Sequence, residues 1–412
     1  MVKGLKKIWA PRVDLGLGQG VTGPVAIGVE NGRITAVDLR PGGVPEGDDV
    51  WSFADATILP GFINAHTHLG LDGGPDPLHT LGGASSTRRY QVMMDSARMC
   101  LDTGVTTVRD CGAPEFMDLA LREAIVAGRE TGPAVLASGS VITCRQGHLS
   151  FMGWEADTAA EVRAAVAHLH ARGVDFVKVV LSGGRIDQHG RYTRFQSQYS
   201  VDVLRALVEE AHRAGLKVAA HAHPVDAISV AIEAQVDSIE HCLWLTPGGQ
   251  RFVRESARRM AERGIWVVPT VSRSFPRPER RLPNDNLIPD ADRHLDILRT
   301  MAAEGVRLVA GGDNGAAFNP QSEFPREVHL LADVLGSHTL AIRAATSWAA
   351  TCLGIDHETG SIQVGKRADL VVIPGNSDET LVGVWSPLAT VKQGQAVPRQ
   401  TPAPSTGVER LR

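Results

Sequence analysis

Hydrophobic positions along the chain fall into two textures. Between residues 57 and 354, short continuous apolar runs alternate with longer stretches in which apolar residues recur every third or fourth position. Continuous runs suit strands buried on both faces and the longer period suits helices burying one stripe, so the alternation predicts βα units around a parallel sheet. Strands are expected at 57–64, 105–109, 134–138, 176–181, 217–220, 238–240, 266–268 and 307–310. Helices are expected at 159–171 and 201–214, the second carrying Val203, Leu204, Leu207, Val208 and Ala211 at helical spacing. Eight strands with helical crossovers place the chain in the α/β class as a TIM (β/α)8 barrel.

Outside this region helix is nearly absent. Short strands at 25–29 and 33–39 are broken by Asn31-Gly32 and by Pro-Gly turns, and the same texture returns at 365–373 and 390–394. Both ends are therefore expected to build one small β-sandwich domain, giving a division into 1–57, 58–354 and 355–412. The segment 273–292, rich in proline, arginine and aspartate, is expected to loop over the barrel mouth and to shape a pocket there with 71–89.

Composition narrows the function classes. With 43% apolar residues, 21% charged residues and a net charge of −4, core material is ample and no basic excess exists to hold phosphate backbones. Nucleic acid is excluded as an expected partner. No apolar run approaches the roughly 20 residues that cross a bilayer, and Pro11, Arg12 and Asp14 follow the basic start where a secretory signal would have its apolar core. Five cysteines, odd in number and without C-x-x-C spacing, read as buried reduced thiols, so a cytoplasmic protein with no membrane association is expected.

Chemistry is expected where strands end. Successive strand side chains alternate faces, so His66 and His68, after the apolar run that includes Leu59, Phe62 and Ile63, point the same way and offer two imidazole nitrogens to one metal ion. Lys178 lies inside the apolar strand Val174-Asp-Phe-Val-Lys-Val-Val-Leu181, where burial favours a neutral amine. The fifth strand runs into His221, the sixth into His241 and the eighth into Asp313, completing a nitrogen and oxygen ligand set. His168 and His170 repeat the His-x-His spacing, but on a helix such residues face apart, and they read as ordinary surface or packing residues.

His66-Thr-His68, Lys178, His221, His241 and Asp313 together resemble the amidohydrolase superfamily over essentially the whole chain. Leu59-Pro-Gly-Phe-Ile63, Thr106-Thr-Val-Arg-Asp110, Ile239-Glu-His241 and Gly365-Lys-Arg-Ala-Asp-Leu370 resemble its imidazolonepropionase-related branch, which includes prolidase-like and Xaa-Arg dipeptidases. The resemblance implies two divalent ions, zinc by default with iron, manganese or cobalt acceptable, and a carboxylated Lys178 bridging them. One ion would take His66, His68 and Asp313, the other His221 and His241. A metal-bridging hydroxide would then attack a C–N amide bond, with Asp313 moving the proton. Single-metal deaminating relatives carry a glutamate where this chain has Pro224, which with Lys178 favours two-metal hydrolysis.

His148 resembles an active-site histidine of the dipeptidase branch, and His223 shares the face of His221 as a substrate contact or an orienting group. Both join Asp313 as catalytic candidates. Arg185, Arg191, Tyr192 and Arg194 are weaker candidates for binding a substrate carboxylate, and Arg109 and Asp110 read as an ion pair with each other. The expected substrate is a small amide such as a dipeptide or N-acyl amino acid, often carrying a carboxylate, and a homo-oligomer is expected. A cyclic amide, carbamate or thiocarbamate would use the same metals, and a metal-free scaffold is the reading from another class.

Overall fold

The computed structural model describes residues 6–184, 193–274 and 290–398. Two parallel sheets carry the α/β part. In one, Phe62–Thr67 pairs with Val105–Asp110, which pairs with Ala134–Ala137. In the other, Phe176–Val180, Lys217–Pro224, Ser238–Thr246 and Trp266–Val268 follow one another in parallel. Asp175 N donates to Ala137 O at 2.9 Å and links the sheets along one side.

Residues 307–313 link them along the other. Val267 N donates to Arg307 O and Val309 N to Val267 O, both at 3.0 Å, while Ala65 N donates to Ala310 O at 2.9 Å. The result is a TIM-barrel-like domain with its strand carboxyl ends on one face. The segment expected as the eighth strand holds a single bridge, Val267 to Leu308, in place of a regular ladder. Crowding explains its continuation: a Cβ on Gly311 would lie 2.3 Å from Val268 Cγ1 and 2.9 Å from the His66 backbone, so only glycine lets this backbone come so close.

The helices form for local reasons. Ala159–Ala171 starts in a capping box in which the Thr158 side chain accepts from Glu161 N and the Glu161 side chain accepts from Thr158 N. Val201–Arg213 is capped by Ser200 and buries Leu204, Leu207, Val208 and Ala211 on one stripe. His168 and His170 lie on the first of these helices, as expected, with the His168 ring 4.5 Å from that of Trp154. Between Leu71 and Arg89, expected to help shape the pocket, the chain forms Pro77–Gly83 and the start of Ser86–Asp102, capped by Asp76 and Ser85. No described helix is long and apolar enough to cross a membrane.

Strands from both ends of the sequence build two further sheets. One orders Arg33–Asp38, Val25–Glu30, Lys7–Ala10 and Val50–Ser52; the other orders Gln395–Ala396, Ala389–Lys392, Leu370–Pro374, Ala56–Pro60, Arg12–Asp14 and Val21–Thr22. The expected strand 57–64 is therefore two strands in two sheets, Ala56–Pro60 and Phe62–Thr67. They are joined at Gly61, where a Cβ would meet Thr106 Oγ1 at 2.2 Å. Leu370–Pro374 is a wall between two cores. Leu370 and Val372 pack with Ile8, Ile27 and Ile58, while Val371 and Ile373 pack with Leu59, Phe62 and the barrel side. A strand buried on both faces has no polar alternation, which is why this run reads as continuously apolar.

Helix Ala291–Ala303 contributes a fully buried histidine, His294, whose Nδ1 lies 3.3 Å from Gln250 Nε2. Burial pulls its pKa down to about 4. The unfolded chain protonates at about 6.5, so this residue's contribution to stability is present above that value and is lost as pH falls through 4. His294→Leu is expected to reduce the fall in unfolding free energy between pH 7 and pH 4 by up to about 3 kcal/mol. Urea unfolding at both pH values measures this, and parallel wild-type and variant profiles would refute it.

Candidate metal centre

Parallel strands that end on one face bring their last side chains together, and one cavity there is lined by His66, His68, His148, Lys178, His221, His223, His241 and Asp313, with Leu149 and Arg273. All eight residues singled out in the sequence share this cavity. His66 and His68 come from the end of Phe62–Thr67, Lys178 from the middle of Phe176–Val180, His221 and His223 from Lys217–Pro224, and His241 from Ser238–Thr246. Asp313 follows Gly311-Gly312, and His148 sits on the loop after Val141–Thr143.

The donor atoms form two groups. One ligand atom from each of His66, His68 and Asp313 lies within 4.8 Å of the others, and the same holds for His221, His223 and His241. Asp313 Oδ1 is 3.5 Å from Nε2 of both His66 and His68. The groups adjoin, with ring centroids of His66 and His241 5.0 Å apart. His223 stands in the second group, a place the resemblance did not give it. One ligand atom from each of a third set, His66, Cys111 and Glu240, also lies within 4.8 Å of the others. There the His66 to Glu240 contact is a 2.6 Å hydrogen bond and burial pushes the Cys111 thiol up to about 12, so it is a hydrogen-bonded cluster around a neutral thiol.

Electrostatics keep the imidazoles neutral, the form that offers a lone pair. Burial, then the charge of Lys178, drives His68 down to about 3 and His66 well below the usual value; burial, then the His148 side, drives His223 to about 3. His221 and His241 are likewise held well down by burial and by neighbouring rings. Asp313 moves the other way, raised by burial to about 6 with Arg273 opposing the shift. Lys178 Nζ and His221 Nε2 are buried and make no hydrogen bond. A buried polar atom without a partner costs about 1–3 kcal/mol. Such atoms beside a nitrogen and carboxylate donor set fit a site built for divalent cations.

Sequence reasoning missed what holds these donors in place. Glu240 Oε2 accepts from His66 Nδ1 at 2.6 Å, and Arg109 Nη2 donates to Glu240 Oε1 at 2.7 Å. Arg109 also donates to Ala65 O at 2.6 Å and to Ser238 Oγ at 3.1 Å. Arg109 and Asp110 do not pair, because neighbours in a strand face opposite ways: Asp110 accepts from Leu69 N at 3.3 Å on the other side. The available signal was a charged residue inside each of two apolar strands, Arg109 and Glu240. His241 Nδ1 is hydrogen-bonded to Thr270 Oγ1 at 2.9 Å. Asn64 Oδ1 accepts from His66 N and Gly312 N, and Asn319 Nδ2 donates to Gly312 O and Asp313 O. The His148 ring packs on bare backbone, since a Cβ on Gly184 would lie 2.0 Å from His148 Nε2. The charge of Arg194 contributes to the lowering of His223. Arg185, Arg191, Tyr192 and most of the expected loop 273–292 lie outside the described residues.

Glu240→Gln keeps the shape but takes the charge from beneath His66 and from beside Arg109. Divalent-metal affinity is expected to fall about 10- to 100-fold. Competitive chelator titration of the folded variant measures it, and wild-type affinity would refute the orienting role.

The sequence model of the Amidohydrolase family matches residues 57–397. An ochratoxinase of Aspergillus niger is 28% identical over 370 residues, covering 81% of this chain and 73% of that one. An imidazolonepropionase of Mycolicibacterium smegmatis is 24% identical, covering 94% of each. An uncharacterised protein of Mycobacterium tuberculosis is 28% identical over 222 residues, so the match spans 53% of this chain and about half, 52%, of that relative. Among solved structures, a Xaa-Pro dipeptidase with bound methionine superposes with a TM-score of 0.85 at 24% identity, covering 95% of this chain and 99% of that one. A prolidase complexed with N-methylphosphonate-L-proline superposes with a TM-score of 0.82 at 26% identity, covering 96% and 100%. Matched from the terminal sheets through every candidate ligand, the chain belongs to the amidohydrolase family, in its imidazolonepropionase- and prolidase-like branch.

Proposed function

We propose that the protein is a metal-dependent hydrolase that cleaves the C–N amide bond of a small carboxylated amide, such as a dipeptide or an N-acyl amino acid. The cavity shared by two donor groups and an unpartnered buried lysine carries this reading. The finer architecture proposed with it is a (β/α)8 barrel over 58–354, which the 307–313 segment would complete, and a β-sandwich from 1–57 and 355–412.

His66, His68 and Asp313 would hold one divalent ion, zinc by default, and His221 with His241 the other. Lys178, buried and without a hydrogen-bond partner, would as a free amine be able to take up CO2 with loss of a proton, and its carbamate would supply an anionic oxygen ligand between the two groups. When bound, the cations supply Lewis acidity to a substrate carbonyl and acidify water. The remaining work falls to side chains. Asp313, raised by burial to about 6 and drawn back by Arg273, is set to accept a proton from water and return it to the leaving nitrogen. His148 and His223 stand where the substrate carbonyl and its neighbours would lie, their rings 5.1 and 4.2 Å from that of His221. Arg273, whose Nε is 4.0 Å from Asp313 Oδ2, and Arg194 give the cavity a cationic side that fits a substrate carboxylate. Relatives named as dipeptidase and prolidase support the same substrate class.

Purified protein is expected to hold stoichiometric divalent metal, to lose hydrolysis of Xaa-Pro, Xaa-Arg or N-acyl amino acid substrates on chelation, and to recover it when metal returns. Asp313→Asn is expected to lower kcat by about 10²-fold or more. Elemental analysis and a substrate panel that includes cyclic amides, carbamates and thiocarbamates decide the matter. Metal-free protein whose activity survives Asp313→Asn would overturn the proposal.

A further inference from the structure

Glu327 is fully buried on helix Phe324–Leu335, and no sequence motif points to it. Its two carboxylate oxygens accept from the backbone of a different element: Oε1 from Val271 N at 3.0 Å and Oε2 from Ser272 N at 2.7 Å. Those two N–H groups begin the short turn Val271–Ser274 that follows strand Trp266–Val268. Three residues of this stretch reach the donor groups or the backbone beside them. Thr270 Oγ1 is 2.9 Å from His241 Nδ1, in the second donor group. Ser272 Oγ donates to Gly312 O at 3.4 Å, immediately before Asp313, and Arg273 Nε lies 4.0 Å from Asp313 Oδ2, in the first.

We propose that Glu327 is a positioning residue for hydrolysis: by clamping the 270–273 turn it sets the His241 imidazole and the Asp313 carboxylate together. The assignment rests on the hydrolase reading above. Two features favour positioning over plain packing. One side chain that accepts from two successive backbone N–H groups, one at each oxygen, fixes the turn's orientation as a single contact does not. Thr270 also holds a left-handed φ of 49°, a strained conformation for a β-branched residue, which persists only where surrounding bonds enforce it.

Glu327→Gln leaves one acceptor oxygen and turns an amide N–H2 toward a backbone donor, so the clamp is halved without changing shape. In the metal-loaded full chain, kcat per folded molecule is expected to fall about 10- to 100-fold, with KM little changed. Thr270→Val removes only the link to His241 and is expected to lower kcat as well. Combined with Glu327→Gln, it should cost no more than the worse single change, because both act on one path. Histidine ¹⁵N spectra of the chelator-treated full chain give a readout independent of turnover: the His241 ring signals should shift in both variants and those of His68 should not. A decline in activity that tracks the folded fraction, or unmoved His241 signals in both variants, overturns the proposal. If Glu327→Gln does not fold, Thr270→Val with unmoved signals and wild-type kcat does so alone. If wild-type protein hydrolyses nothing, the hydrolase reading fails, while the spectra still report whether Glu327 orients His241.

Discussion

The buried pair between Arg109 and Glu240 is the interaction on which the candidate metal centre depends. Each charge loses its water at a cost of several kcal/mol, so the pair is tolerable only because it is saturated with hydrogen bonds. Arg109 spreads its donors over Ala65 O, Ser238 Oγ and Glu240 Oε1, tying three strands together at one depth. Glu240 turns its other oxygen to His66 Nδ1, which leaves the Nε2 lone pair facing Asp313. A charge pair that welds the sheets thus also selects the form in which the first histidine would meet a cation.

Around this pair the site stores conformational strain. His241, Thr270 and Asp313 all have φ between 49° and 67°, where residues other than glycine are uncommon. His241 comes just past the last pairing of its strand with Trp266–Val268, Thr270 follows the end of that neighbouring strand, and Asp313 follows Gly311-Gly312. The opposing influences are concrete: Asn64 and Asn319 hold the backbone about Asp313, and the Glu327 clamp holds the turn after Thr270. Relaxing any of them moves a donor atom, so geometry at the cavity is decided by groups that never face it.

What the sequence made legible was whatever depends on periodicity. Two-residue parity put His66 and His68 on one face, and parallel strands ending together brought in Lys178, His221, His241 and Asp313 without knowledge of any contact. Breaks caused by close approach were not legible: the apolar run through Gly61 reads as one strand because nothing in its hydropathy marks Thr106 on the other side. Partner choice was also hidden. Arg109 stands out as a charge in an apolar strand, yet its nearest acid in sequence lies on the opposite face and its true partner is 131 residues away. Glu327 was invisible because its partners are backbone N–H groups, which every residue but proline has.

The wall formed by Leu370–Pro374 bears on how the molecule comes apart. Its alternate side chains belong to different cores, and the adjacent strand Ala56–Pro60 runs through one glycine into the first barrel strand. Gly61 N donates to Asp369 O and Thr390 Oγ1 to Leu101 O, so hydrogen bonds cross the same boundary. Stripping the terminal sheets away would bare one face of the barrel's own apolar packing, and melting the barrel would bare the other face of the wall. Two regions that look separable in a map of textures are therefore one cooperative unit: neither core has a surface of its own to present to water.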